Sequence, residues 1–284
     1  MAHDLPPPWS LRNKGSDAMN DALTAILLGI VEGVTEFLPV SSTGHLILAS
    51  ELLGYRAERW EVFNIVIQSG AILAVVVLYW RTLTSVLMRL LKLDPGAIAF
   101  VRNILLAFLP AAIIGLALHD KIEALLGKPA LVAVALIVGG VAILMIERMA
   151  KVARVDAVER MPMKTALGVG FIQCISMIPG VSRSGATIMG ALAMGVDRKT
   201  AAEFSFFLAI PTMAGATLLQ GLKHKDEILG SGMSEIAIGW VVSFVVALGV
   251  IKAFVGVVSR YGFAPFAWYR IAAGIAALAW LGMR

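Results

Sequence analysis

Three ionisable side chains stand in the middle of an apolar stretch near the start of the chain. Glu32, Glu36 and His45 lie in GIVEGVTEFLPVSSTGHLILASELLG, residues 29–54, which is otherwise apolar enough to enter a membrane. An ionised side chain at bilayer depth costs about 2.5–3.5 kcal/mol on insertion scales and usually marks a functional site. A helix places Glu32 and Glu36 on one face, where two carboxylates repel unless a proton or a cation lies between them. The pair therefore predicts a bound proton or a hard cation such as Mg²⁺ or Ca²⁺.

A second stretch, GFIQCISMIPGVSRSGATIMGALAMG at residues 170–195, carries a cation instead of carboxylates. Arg183 stands between Ser182 and Ser184, and Thr187 follows one helical turn later. Arg is well suited to bidentate contact with phosphate, and an unpaired Arg at membrane depth is costly. The stretch therefore predicts an anion site. An ion pair between Arg183 and one of the two carboxylates is the structural alternative.

Each stretch is interrupted by Pro with Ser or Gly neighbours, so neither predicts one straight helix. We predict two half-helices that meet at a polar bend inside the protein, because irregular backbone at membrane depth is tolerated there. A half-helix that starts at such a bend directs free N–H groups inwards, which favours an anion. Ser41 and Ser42 are N-cap candidates, and His45 lies on the same face as Ser42. If the bends meet, their side chains suit phosphoryl transfer.

The composition predicts an all-α polytopic membrane protein. Of 284 residues, 59% are hydrophobic and 15% are charged, whereas soluble domains have about 25% charged residues. The net charge of +5 comes from basic residues in short loops and gives no indication of nucleic-acid binding. Residues 1–20 are polar and are predicted to be a mobile extension. Full spans are expected at Phe63–Trp80, Ile104–Leu118, Leu131–Ile146, Ala201–Leu222, Ile236–Val258 and Phe263–Leu281.

The two broken stretches are related by an internal repeat. When the chain is slid along itself until Gly29 meets Gly170, a shift that we call the repeat offset, identical residues meet without gaps. They include the pairs Thr24/Thr165, Ala25/Ala166, Gly29/Gly170, Val40/Val181, Ser41/Ser182, Gly44/Gly185, Ile47/Ile188, Gly54/Gly195 and Phe63/Phe204. We therefore predict repeat 1 at residues 21–146, with a re-entrant hairpin at 21–54, and repeat 2 at 165–284, with a hairpin at 165–195. A basic loop at 147–164 joins them.

One re-entrant hairpin plus three full spans gives each repeat an odd number of crossings. The repeats must then have inverted topology, as in membrane folds whose sites lie at the repeat interface. The basic loops at residues 81–102 and 147–164 lie on one side in this arrangement, which the positive-inside rule makes cytoplasmic.

At these residues the chain resembles the undecaprenyl pyrophosphate phosphatases, also called bacitracin-resistance proteins. The family's Glu/Gln-x-x-x-Glu motif matches Glu32 to Glu36, and the following PVSSTGH matches residues 39–45. Its second motif, PGxSRSxxT, is met by residues 179–187. The resemblance runs from about Ala22 to the last span, so it covers everything except the N-terminal extension.

The resemblance implies a bacterial cytoplasmic (inner) membrane enzyme that hydrolyses undecaprenyl pyrophosphate to undecaprenyl phosphate and inorganic phosphate. Such an enzyme recycles the lipid carrier for peptidoglycan and opposes bacitracin. The family depends on a divalent cation, is built from inverted repeats, and has a site thought to open towards the periplasm. Membrane lipids are the expected surroundings, and the sequence permits a homodimer.

Roles carried over from the family fit the chemistry of the residues. Glu32 and Glu36 are expected to hold Mg²⁺ or Ca²⁺. Arg183 is expected to grip the phosphates and stabilise charge, and Ser42 is the candidate nucleophile with His45 as base or acid. Attack by a metal-activated water, with Ser42 only binding phosphate, is the open alternative. The candidate phosphate ligands beside Arg183 are Ser41, Ser182, Ser184 and Thr187.

Simpler interpretations remain for several of these residues. Ser41, Ser184 and Thr187 are also typical helix caps, and Gln173, which aligns with Glu32, is either a packing amide or a residue that supports the site. A transporter or flippase for an anionic substrate is the competing function, since inverted repeats and buried charges suit both. The density of catalytic side chains at the bends favours the phosphatase. A phosphatidate-type lipid phosphatase is disfavoured because no His-x-x-x-Asp follows Arg183.

Overall fold

The computed structural model describes residues 16–53, 57–126, 128–150, 153–223 and 233–283, and these are almost entirely α-helical. The helices are α1 (Ser16–Thr35), α2 (Ser42–Leu53), α3 (Ala57–Leu78), α4 (Trp80–Leu91), α5 (Pro95–Ala117), α6 (His119–Leu126), α7 (Pro129–Met149), α8 (Met163–Gln173), α9 (Arg183–Ala193), α10 (Arg198–Lys223), α11 (Met233–Tyr261) and α12 (Ala264–Gly282). Helix α1 takes in residues 16–20 of the predicted extension, whereas residues 1–15 lie outside the described ranges.

Five helices are long and apolar enough to cross a membrane: α5, α7, α10, α11 and α12. Helix α3 passes the same test only together with α4, from which it is bent by 70°. The prediction of an all-α polytopic membrane protein is therefore confirmed. Helix α5 begins nine residues before the apolar core predicted at residues 104–118, and α7 extends two or three residues beyond each end of the core at 131–146, so both are long enough to cross a bilayer.

Both predicted breaks are present. Helix α1 ends at Thr35 and α2 begins at Ser42, while α8 ends at Gln173 and α9 begins at Arg183 after a short 3-10 turn over Cys174–Met177. Helix α2 packs against α1, and α9 packs against α8. Each broken stretch is thus a pair of helices joined by a bend, and α1 is the longest of the four with 20 residues.

The first arm of each pair packs against a long helix from the other half of the chain. Helix α1 packs against α11, and α8 packs against α5. A methyl group on Gly29 would come within 2.7 Å of the Gly239 carbonyl oxygen, and one on Gly170 within 2.6 Å of the Ala107 carbonyl oxygen. Glycine is required at both crossings because the backbones approach so closely.

The two basic loops meet at one end of the helical bundle. Arg89, at the end of α4, pairs with Glu159 at 2.7 Å and with Asp94 at 2.5 Å. Asp94 also caps α5 by accepting a hydrogen bond from the Ala97 amide at 2.9 Å. That amide and the Arg89 guanidinium together lower the pKa of Asp94. The ion pair between Arg89 and Glu159 joins the two loops at this end of the bundle.

Candidate active site at the two bends

The two bends have the same backbone geometry. Ser41 and Ser182 have φ values of 72° and 78°, a region that side-chain-bearing residues rarely adopt. Each serine stands one residue before a helix and accepts a hydrogen bond from the amide three residues on, Gly44 at 3.3 Å and Gly185 at 3.0 Å. Both bends thus direct the capped N-terminus of a helix towards the same region.

The bends contact one another through charge and through backbone. Arg183 Nη2 donates to Glu36 Oε1 at 3.0 Å, and both side chains are largely buried. The Ser184 hydroxyl donates to the Leu38 carbonyl oxygen at 2.8 Å. The predicted meeting of the two bends is therefore observed, and the structural alternative for Arg183, an ion pair with a carboxylate, is present as well.

Ser42 hydrogen-bonds to the carboxylate of that ion pair. Its hydroxyl donates to Glu36 Oε2 at 2.5 Å, so one carboxylate accepts from a serine and from a guanidinium at once. An oxygen nucleophile needs a base within hydrogen-bond reach, and Glu36 occupies that position.

Glu32 lies behind this group and is completely buried. Neither of its carboxylate oxygens accepts a hydrogen bond from any described residue. Glu36 is the carboxylate nearest in sequence and interacts with it electrostatically. Two orphaned oxygens beside a second carboxylate are what a shared proton or an oxygen-liganded cation would satisfy. Across the described part of the chain, no group of three or more His, Cys, Asp or Glu side chains is placed to hold a metal.

A cavity of about 620 Å³ opens beside the two bends. Its polar end is formed by residues from both bends and from the end of α8, namely Glu36, Ser41, Ser42, Gln173, Ser182 and Arg183. Its walls come from the C-terminal halves of α5 and α10 and are mostly apolar, among them Phe108, Ala111, Leu116, Met213, Ala216, Leu218 and Leu222, with Thr212 and Gln220 as polar members. The Nε–H group of Arg183 is buried and has no partner among the described residues. The cavity therefore combines a cationic, hydroxyl-bearing end with an apolar channel.

His45 lies near the first bend but does not line the cavity. Its Nδ1 is 2.8 Å from the Ser41 carbonyl oxygen and its Nε2 is 2.7 Å from the Tyr269 hydroxyl. A carbonyl oxygen only accepts, so Nδ1 carries the proton and a neutral ring accepts from Tyr269 at Nε2. Both ring nitrogens are thus engaged away from Ser42, and a base role for His45 stays a prediction that this geometry does not favour.

Thr187 and Ser184 support the second bend and do not line the cavity. The Thr187 hydroxyl is 2.7 Å from the Ser205 hydroxyl on α10, and the Ser205 carbonyl oxygen accepts from Arg183 Nη1 at 2.8 Å. The Ser184 hydroxyl is bonded to the first bend. Of the predicted phosphate ligands, Ser41, Ser182 and Arg183 therefore reach the cavity directly.

Arg270 on α12 ties both bends to α7. It is buried, with 1% of its surface exposed, and donates only to backbone carbonyl oxygens. These belong to Pro39 in the first bend at 3.0 Å, to Gly180 and Val181 in the second at 2.9 and 3.0 Å, and to Ala135 and Leu136 on α7 at 3.1 and 3.3 Å. A guanidinium has enough donors in one plane to hydrogen-bond to several backbone segments at once and hold them together.

Sequence reasoning missed Tyr269, Ser205 and Arg270. Arg270 had a signal, because a charged residue inside the apolar span at residues 263–281 is costly and calls for buried partners. Tyr269 and Ser205 had none, since an aromatic residue or a small hydroxyl within a span is ordinary packing material.

Comparison of the sequence with known proteins assigns the chain to a family. The family described as bacitracin resistance protein BacA matches residues 25–276. An undecaprenyl-diphosphatase from Novosphingobium aromaticivorans is 63% identical over 94% of the chain and 100% of the relative, and one from Sphingopyxis alaskensis is 61% identical over the same shares. An "Undecaprenyl-diphosphatase 2" from Paramagnetospirillum magneticum is 52% identical over 89% of the chain and 96% of the relative. The chain belongs to the BacA family of bacitracin resistance proteins.

Proposed function

We propose that the two bends form the active site at which this chain hydrolyses undecaprenyl pyrophosphate to undecaprenyl phosphate and inorganic phosphate. The activity is that of its close relatives, and it recycles the lipid carrier for cell-wall synthesis and opposes bacitracin. The observation that carries the assignment of the site is the chain of contacts from Ser42 to Glu36 to Arg183 at the polar end of the cavity.

The cavity suits a diphosphate on a long apolar chain. The headgroup occupies the polar end, where the unpartnered Nε–H of Arg183 and the hydroxyls of Ser41 and Ser182 face it. The prenyl chain leaves between α5 and α10, whose cavity-lining Leu116 and Leu222 are both 66% exposed on the outer surface of the helices. An apolar chain can therefore remain in the bilayer while its headgroup enters the site.

Ser42 and Glu36 supply the chemistry of the favoured route. The Ser42 oxygen attacks the terminal phosphorus, its proton passes to Glu36, and the bond from that phosphorus to the bridging oxygen breaks. Undecaprenyl phosphate leaves, and water then attacks the phosphoserine to release inorganic phosphate and restore the hydroxyl. Arg183 stabilises the charge that develops on the phosphoryl oxygens. Direct attack by water, with Glu36 as its base, uses the same groups.

The carboxylates fit a divalent cation that takes its remaining ligands from substrate and water. Mg²⁺ is commonly held by one or two carboxylates plus substrate phosphates, which matches two Glu side chains and the orphaned oxygens of Glu32. Glu32 and Glu36 would hold Mg²⁺ or Ca²⁺, which would neutralise negative charge on the diphosphate when bound.

The arrangement of the bends supports a fold of inverted repeats with two re-entrant hairpins. Ser41 and Ser182, which share an unusual φ, are separated by the repeat offset, as are Gly29 and Gly170, which make equivalent helix crossings. Repeat 1 covers residues 21–146 and repeat 2 covers residues 165–284. The pseudo-twofold relation brings the two hairpins together at the repeat interface.

The cavity is proposed to open towards the periplasm from the bacterial inner membrane. Its apolar walls come from the C-terminal halves of α5 and α10, away from the end where the basic loops meet. The positive-inside rule places that basic end in the cytoplasm. A thiol probe that does not cross the membrane tests this in a Cys174→Ser background. Lys128→Cys should react in intact cells and Arg160→Cys only after permeabilisation; the reverse pattern would invert the orientation.

Phosphate release from undecaprenyl pyrophosphate by the purified protein tests the function. Mg²⁺ or Ca²⁺ should support release and a chelator should stop it, whereas full activity in chelator would remove the cation from the proposal. A homodimer is a further proposal that analytical ultracentrifugation in detergent can test.

The role of Ser42 is tested by trapping the intermediate. Ser42→Ala should lower kcat by at least about 100-fold, corresponding to ~2.7 kcal/mol, and should abolish transfer of ³²P from labelled substrate to protein. Glu36→Gln should lower kcat because Ser42 then lacks an anionic base. Release by Ser42→Ala at the wild-type rate would eliminate the covalent route in favour of direct attack by water.

A further inference from the structure

Gln173 ends α8 at the second bend and lines the polar end of the cavity together with Glu36, Ser42 and Arg183. Only 1% of the residue is exposed. Neither its Oε1 nor its Nε2 has a hydrogen-bond partner among the described residues. A buried amide with both ends unpaired is costly and needs an explanation.

Asn103 shows how a structural amide is treated elsewhere in the fold. It is completely buried, and its Nδ2 donates to the carbonyl oxygens of Val158 and Met161 at 2.9 and 2.8 Å. Its Oδ1 accepts from Arg102 at 3.2 Å. Gln173 is as deeply buried but makes none of these contacts, so a packing role accounts for its methylene groups and leaves its amide unexplained.

The surroundings of Gln173 indicate which partner is missing. The cavity that it lines already presents Arg183, Ser41 and Ser182 to an anion. A neutral amide beside them can donate to a phosphate oxygen without adding charge, and its carbonyl oxygen can accept from a water beside the phosphorus. Amide side chains serve this purpose in other phosphoryl-transfer sites.

We propose that Gln173 is a substrate-contacting residue, whose Nε2 donates a hydrogen bond to a non-bridging oxygen of the pyrophosphate. This inference rests on the proposed function. Its first-repeat counterpart at the repeat offset is Glu32, which is also buried and without a hydrogen-bond partner among the described residues. In repeat 1 the position carries a carboxylate suited to a cation, and in repeat 2 it carries an amide suited to an anion.

Replacement of the Gln173 amide distinguishes a contact with substrate from a role in stabilising the fold. Gln173→Met keeps the volume and removes the polar atoms, so kcat/KM should fall at least tenfold while the melting temperature without substrate stays the same or rises. Gln173→Glu should lose more activity than Gln173→Met, because an added carboxylate repels the pyrophosphate. Both are measured by phosphate release from undecaprenyl pyrophosphate with Mg²⁺ and by thermal unfolding in the same detergent.

Two control variants show what the loss of an amide does to activity away from the cavity and to stability in a structural position. Asn64→Leu removes another amide with an unpartnered oxygen, on α3 and outside the cavity lining, and should leave kcat/KM within about twofold of wild type. Asn103→Leu should lower the melting temperature because it strips two carbonyl groups of their donor.

Three outcomes would overturn the assignment. Wild-type kcat/KM in Gln173→Met would show that the amide does not touch substrate. A fall in melting temperature as large as that of Asn103→Leu would show a structural amide. Equal activity in Gln173→Met and Gln173→Glu would show that no anion lies beside the side chain. A wild-type protein that releases no phosphate would instead refute the proposed function itself, so the two failures are distinguishable.

Discussion

Ser41 in the first bend and Ser182 in the second adopt nearly the same φ and cap a helix through the same hydrogen bond. The Arg270 guanidinium donates to a backbone carbonyl oxygen in each bend, that of Pro39 and that of Val181. The neighbours of the two serines that face the site differ in kind. At the repeat offset, Ser42 corresponds to Arg183 and Glu36 to Met177. The backbone of a bend is therefore reused while the charge on it is changed.

This division of charge explains how the site is assembled. One bend contributes the carboxylate and the hydroxyl, and the other contributes the cation that pairs with them across the interface. Two bends of equal charge would repel at this distance, whereas opposite charges on a common scaffold attract and leave donors free for a phosphate. The comparison predicts large effects for the charged residues and small, equal effects on stability for the shared serines.

Arg183→Ala has the largest expected effect on activity. Loss of the guanidinium removes the proposed phosphate clamp, so kcat/KM should fall by at least about 100-fold, or ~2.7 kcal/mol. Arg183→Lys keeps the charge without the planar fork and should recover only part of the loss. Steady-state phosphate release measures both. Near-normal turnover of Arg183→Ala would mean that the cation of the second bend is structural.

Arg270→Met should have the largest effect on stability, because the carbonyl oxygens of both bends lose their donor. We expect a loss of about 3 kcal/mol or more, seen as a lower melting temperature. Gly139→Ala should act in the same direction, since a methyl group there would overlap the Arg270 guanidinium. Gly249→Ala is the matched control, because nothing lies within 4 Å of the added group. Equal melting temperatures for the two alanine variants would contradict the role of Arg270.

His45 is a further difference between the bends, because the residue at the repeat offset from it is Ala186. Substitution of His45 tests whether this difference matters for catalysis. If His45 only holds the first turn of α2 against Tyr269, His45→Gln and Tyr269→Phe should both lower kcat by about tenfold or less. The pH profile of kcat should keep its acidic limb in His45→Gln. Loss of that limb in His45→Gln alone would restore His45 as the base predicted from the sequence.

The smallest effects on stability are expected at the shared serines. Ser41→Ala and Ser182→Ala each remove a cap and should cost about 1 kcal/mol of stability. Ser41→Gly and Ser182→Gly lose the same bond but relieve the unfavourable φ, so they should be closer to wild type. Thermal unfolding of the four variants compares the bends directly. A large difference between the Ser41 and Ser182 variants would break the equivalence of the two backbones.

The amino-acid sequence was sufficient to predict the helical membrane class, the two breaks and the family. Apolar runs of bilayer length leave few alternatives to helices, and Pro with Ser or Gly neighbours interrupts a helix wherever it folds. The repeat offset could also be found from the sequence, because it depends only on residue identities. The chemistry of Glu36, Ser42 and Arg183 marks them as site candidates in the sequence, and the structure brings all three to one cavity.

The pairing of polar groups at the site depends on the tertiary structure. Ser42 and His45 share a helical face, yet Ser42 pairs with Glu36, six residues earlier, and His45 turns to Tyr269 on α12. Helical spacing fixes directions relative to one helix, whereas the partner that a side chain meets depends on how distant helices pack. For the same reason, the sequence could not reveal that Arg270 holds both bends or that the amide of Gln173 lacks a partner.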